Sequence, residues 1–202
     1  MRAFSALALC ALALPALLPA CSTTPTGSPS NTSGSVTFHG TVGGKTVAFV
    51  DAVALKGVYD SAYPGIVTIF FTNQPNFCAT AKTMIASGAS KANLIDFGFA
   101  LGATNATSVV TVGTYTPSGS PTELDTFGWD SYDATCKHTT DTGWASNTVT
   151  LTSVGLVYAG TFDGTSNTGE HVSGSFNAPL CDLSGVDRDA GGSADGGVAC
   201  LP

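Results

Sequence analysis

From Val36 the chain alternates apolar and polar residues with a period of two. Val36, Phe38 and Val42 stand against Thr37, His39 and Thr41, the pattern of a half-buried strand. Gly43-Gly44 supplies the positive φ values of a tight hairpin, and residues 45–55 return with Val47, Phe49 and Val53 on one side. The run Ile66-Val67-Thr68-Ile69-Phe70-Phe71 is β-branched or aromatic on both faces, which places it centrally in a sheet. Residues 94–101 alternate again, with Ile95, Phe97, Phe99 and Leu101 together. Further strands are predicted over 109–115, 124–129, 148–152, 156–162 and 171–177, with a hairpin turn at 163–169.

One stretch follows a helical period instead. Over 76–88, Phe77, Ala81, Met84 and Ile85 form a stripe, Asn76 is the N-cap candidate and Gly88 suits the C-terminal stop. A helix of this length is expected to plug a sheet edge or a barrel end. Residues 130–144 read as the longest strand-poor connection, and from Asp182 the chain is rich in Gly and Asp. Eight to ten short strands with frequent turns predict an all-β fold, an antiparallel sandwich or barrel with one short helix.

The first twenty residues obey a different grammar. Arg2 is the one charge before an apolar run that ends in Leu18-Pro19-Ala20-Cys21. Pro15 and Pro19 disfavour an uninterrupted membrane helix. The ending resembles a bacterial lipobox. That resemblance implies cleavage before Cys21, a diacylglycerol on its sulfur and acylation of its new amino group. Ser22 at the next position resembles the sorting signal for the outer membrane of Gram-negative bacteria. Residues 22–35 are polar and rich in Pro, Gly, Ser and Thr, and read as a tether reaching roughly 20 Å. The expected organisation is a leader over 1–20, lipidated Cys21 and tether over 21–35, a β domain over 36–181 and a tail over 182–202. The whole is similar to small secreted lipoproteins of Gram-negative bacteria, myxobacterial ones included. The resemblance supports address and architecture, not an activity.

Charge narrows the partners. The chain has 7 Lys and Arg against 14 Asp and Glu, with a net charge of −7. Lacking a basic cluster, it does not suit nucleic acid. Membrane affinity must then come from the acyl chains on Cys21. Cys10 leaves with the leader, so Cys78, Cys136, Cys181 and Cys200 remain for disulfides in an oxidising compartment. The short Gly-rich segment between them favours Cys181–Cys200, with Cys78–Cys136 as the other bridge.

Several residues are candidates for chemistry. Trp129, Asp130, Asp133, His138, Asp141 and Trp144 gather around Cys136, and tryptophan beside carboxylates suits sugar recognition. In the tail, Asp187, Asp189, Ser193 and Asp195 space oxygen ligands like a calcium loop. Position twelve is Val198 instead of glutamate, however, and no helices flank it. His39 and His171 fall on polar strand faces, and if their strands paired the two imidazoles would approach each other and could bind a metal. Glu123 and Glu170 are the only glutamates. The sequence contains neither Gly-x-Ser-x-Gly, nor His-Glu-x-x-His, nor a phosphate loop. No cofactor is indicated, calcium in the tail loop aside. The expectation is a lipid-anchored envelope protein with a β-rich binding domain for a glycan or an envelope protein. The alternatives are a small hydrolase using loop carboxylates and a calcium-stabilised module.

Overall fold

The computed structural model describes residues 33–56, 65–102, 109–117, 123–141, 143–183, 186 and 199–202. The leader, Cys21 and the calcium-loop residues Asp187, Asp189, Ser193 and Asp195 lie outside them. The elements are β1 (Ser35–Gly40), β2 (Asp51–Lys56), β3 (Val67–Thr72), α1 (Phe77–Ser87), β4 (Ser90–Lys91), β5 (Ile95–Gly102) and β6 (Gly113–Tyr115). They continue with β7 (Glu123–Tyr132), β8 (His138–Asp141), β9 (Trp144–Ser153), β10 (Val157–Ser166), β11 (His171–Asp182) and β12 (Cys200–Leu201). The fold is all-β with one short helix, as its alternation predicts.

Ten strands form one sheet in the order β6-β9-β10-β11-β2-β3-β5-β7-β8, with β1 paired to β11. The sheet curls until its ends approach, where the Leu124 N–H donates to the Thr116 carbonyl at 3.2 Å. It is mixed, not purely antiparallel: β11 pairs β2 in parallel, and β12 pairs β4 in parallel in a separate ribbon. The reason lies in β11, the longest strand. One edge of β11 carries β1 along Val172–Asn177 and then β2 along Leu180–Asp182. The predicted pairing of 36–42 with 45–55 therefore gives way to a local turn, in which Val42 and Lys45 exchange two backbone hydrogen bonds. Gly43 (φ 56°) and Gly44 (φ 73°) make that turn. A β-carbon on Gly43 would sit 2.8 Å from the Trp129 ring, so the turn lies directly over that ring.

The concave face holds a cluster of aromatic rings. Phe71 lies between the two halves of the sheet, 5.0 Å from Phe162 and 5.6 Å from Phe176 on one side, and 5.7 Å from Phe99 and 6.1 Å from Phe97 on the other. β2 is buried on both faces: Ala52 and Ala54 point inward, whereas Val53 and Leu55 join a second cluster with Phe77, Ala81, Leu94 and Leu183. That second cluster exists because α1 lies on the outer face of the sheet instead of plugging a barrel end. Its stripe residues, read from the 3.6-residue period, are the ones packed there.

Asn76 does not cap α1 with its side chain. The buried Asp51 of β2 takes that role, accepting hydrogen bonds from the Phe77 N–H at 2.8 Å and from the Gly34 N–H at 2.7 Å. A carboxylate at the first helical N–H satisfies an orphan donor and suits the positive helix end. The disulfides also differ from expectation, pairing Cys78 with Cys181 and Cys136 with Cys200. The first ties the first turn of α1 to the end of β11. The second ties the last strand to the turn after β7. The Gly-rich segment thus closes on a distant hairpin and not on itself. Among the described residues no helix is long and apolar enough to cross a membrane.

Candidate functional site: an acidic cleft under the helix

Residues 130–144 form a hairpin, not a long connection. β7 runs on to Tyr132, and Asp133 builds the turn. Its Oδ1 accepts hydrogen bonds from the Thr135 N–H, the Thr135 hydroxyl and the Lys137 N–H at 2.7–2.9 Å. Those bonds favour the ionised form and hold the Asp133 carboxyl below its ordinary range. Asp133 is therefore a turn brace on the surface. β8 then returns along β7, with Asp141 opposite Trp129 and His138 opposite Tyr132.

Strand alternation divides the predicted cluster between two faces. Trp129 and Trp144 pack against the aromatic core, with Trp144 4.9 Å from Phe127 and 5.6 Å from Phe97. Gly164 makes room for this, since a β-carbon there would meet the Phe127 ring at 2.5 Å. Asp130 and Tyr132 alternate with Trp129 and lie on the outer face. His138 joins them: its Nε2 is 2.8 Å from Asp130 Oδ1, and its ring stacks on Tyr132 at 4.8 Å. The expected stacking platform beside carboxylates is absent from this arrangement, because the indoles are core.

What stands beside Asp130 instead is Asp96. The two are directly opposite on β5 and β7. Both line a cleft of about 160 Å³ between α1 and the sheet. Leu55, Phe70 and Leu94 contribute its sheet side, and Phe77, Met84 and Ile85 its helix side. Gly98, next but one to Asp96 on β5, lets that strand approach β3 closely, because a β-carbon there would meet the Ile69 carbonyl at 2.8 Å and the Phe70 ring at 3.0 Å. Asp96 is only 6 % exposed. Burial first, and the facing Asp130 second, raise its carboxyl well above the ordinary range. Among the described residues its carboxyl accepts no hydrogen bond.

Sequence reasoning missed Asp96, although a signal was there. Ile95, Phe97, Phe99 and Leu101 claim one face of β5, leaving Asp96, Gly98 and Ala100 on the other. Small residues at 98 and 100 fit a face that another element covers, but only the landing of α1 there makes Asp96 a buried carboxyl and a site candidate.

The other candidates have structural partners. Glu170 accepts hydrogen bonds from the Thr41 hydroxyl at 3.1 Å and the Gly44 N–H at 2.5 Å, clamping the turn over Trp129. His171 pairs with Asp163 at 3.0 Å on the exposed face of β11. His39 lies opposite Ser173 on the neighbouring strand, so β1 and β11 do pair as the histidine reading requires. Among the described residues, however, no group of three or more His, Cys, Asp or Glu side chains is placed to hold a metal ion. The side chain of Glu123 lies outside the described residues, as does that of Asp141. No protein-family model matches the chain, and no curated protein or solved structure shows detectable similarity to it.

Proposed function

We propose that this chain is a lipid-anchored protein of the bacterial cell envelope whose β domain is a binding module, not an enzyme. The anchor half rests on the lipobox-like ending at Cys21. The binding half rests on one observation: a small, apolar-walled cleft whose floor carries a buried carboxyl without a described hydrogen-bond partner. Burying a carboxyl costs free energy through desolvation of its charged form. A ligand that completes its interactions recovers part of that energy. Pockets with apolar walls and a few convergent polar groups are the usual form of small-molecule sites. The scaffold supports this use, because Cys78–Cys181 holds the helical wall against the sheet.

Hydrolysis by loop carboxylates is less well supported. Asp130 is engaged by His138, Asp133 braces a turn, and a cleft of about 160 Å³ is small for a sugar ring and its two flanking groups. The test is a thermal-shift screen of the oxidised full chain against small neutral, cationic and anionic fragments. A ligand that binds only the folded state at a hundredfold excess over Kd adds about 2.7 kcal/mol of stability. At least one charge class should raise the midpoint. A flat screen across all three classes would remove the binding reading.

A further inference from the structure

The side chains lining the cleft specify a kind of ligand, an inference that rests on the cleft being the binding site. Asp96 and Asp130 face each other across β5 and β7, and no lysine or arginine lines the cleft with them. His138 is turned onto Asp130 at 2.8 Å, which leaves Asp96 without a described counter-charge. The remaining walls are rings and alkyl groups, with Phe70 and Phe77 6.3 Å apart and Tyr132 beside Asp130.

This set does not suit a hard divalent cation, which takes six or more oxygen ligands. It suits a cation that is mostly carbon. An ammonium group forms charge-assisted hydrogen bonds with carboxylates, and aromatic faces attract both its charge and its apolar stem. The size follows from the volume of about 160 Å³, since an apolar cavity of about 150 Å³ holds benzene. We propose that the cleft binds a small organic ammonium, a primary amine on an apolar group about the size of a benzene ring. Its N–H groups meet Asp96 and Asp130, and its carbon skeleton lies between Phe70 and α1.

The experiment is calorimetric titration of the oxidised full chain at pH 7 with benzylamine, benzyl alcohol and benzoate, three probes of one shape and different charge. Benzylamine should bind at least tenfold more tightly than either of the others. Asp96→Asn should weaken benzylamine at least tenfold while leaving benzyl alcohol unchanged. If that variant does not fold, Asp130→Asn should cost at least threefold, and an unchanged affinity overturns the proposal. Equal or tighter binding of the alcohol or of benzoate also overturns it, while keeping the cleft as a binding site. Binding of none of the three overturns both.

Discussion

An aspartate on the outer face of a strand ordinarily points into water, but Asp96 is covered by α1 and faces Asp130 across the sheet. Like charges directly opposite one another destabilise a strand pair, and burial penalises the charged form further. The groups around Asp96 decide how this reads out with pH. β7 and β8 present Asp130, Tyr132 and His138, β3 presents the buried Thr72, and α1 presents only apolar side chains. Because its folded-state pKa lies above that of the unfolded chain, the folded protein keeps this proton to higher pH. The stabilisation from that proton is complete below the unfolded value and is lost as pH rises through the folded one. Asp96→Asn removes this titration. It should therefore be more stable than the parent chain at pH 7, where the raised carboxyl costs the parent stability. Near pH 4 the gap should close. Urea unfolding of both proteins at the two pH values measures it, and an equal gap at both would mean that the Asp96 carboxyl is not shifted. Asp133, whose carboxyl is shifted downward, works with the opposite sign but is common to both proteins. The alternation of β5 was legible in the sequence, and so was the polarity of position 96. That the polar face is covered was not, because coverage depends on where α1 lands.

At the scale of elements, legibility follows the range of the interactions. α1 spans Phe77–Ser87 within the predicted 76–88, because its apolar period and its stop at Gly88 are local, whereas its N-terminal cap comes from Asp51 on β2. The strands containing Phe71, Phe97, Phe162 and Phe176 were equally plain. The partners of β2 were not. Gly43-Gly44 makes its turn, yet β1 and β2 both leave it to pair with β11, more than a hundred residues on. Cysteine pairing failed for the same reason: a short intervening segment favoured Cys181–Cys200, whereas α1 and the β7–β8 turn bring Cys78 and Cys136 to them instead. Digestion separates the two patterns cleanly. Cleavage after Lys56, Lys82, Lys91, Lys137 and Arg188 puts each cysteine in its own peptide. Unreduced digests should yield 57–82 joined to 138–188, and 92–137 joined to 189–202. Any other pair of masses refutes this arrangement. The Cys78→Ala/Cys181→Ala variant should lose about 2–5 kcal/mol, as removal of a disulfide from a small secreted domain does. Its unfolding midpoint in urea reports that loss.

For the whole molecule, the two layers have different duties. The aromatic cluster around Phe71 joins both halves of the curled sheet, so the scaffold is held from inside. The outer layer under α1 is smaller and contains the cleft. The polar segment preceding β1 meets the domain beside that layer: the Gly34 N–H is bound by Asp51, and the Ser33 hydroxyl is 3.4 Å from Asn76 at the start of α1. A chain leaving there toward Cys21 emerges at the helix end of the domain and not at the turn over Trp129. With about a dozen residues between, a flexible tether to the proposed anchor would have a typical reach of roughly 20 Å. Among the described residues the exposed large apolar side chains are Val50, Val109, Val112, Val154 and Leu156. Buried methylene groups contribute about 0.8 kcal/mol each, so the acyl chains proposed on Cys21 would dominate the partition, and one chain alone binds only marginally. Cys21→Ser in the full-length chain should therefore move the protein from the membrane pellet to the soluble fraction, with the benzylamine affinity of the domain unchanged. A variant that still sediments with membranes would show that the domain itself, and not the lipid, holds the protein there.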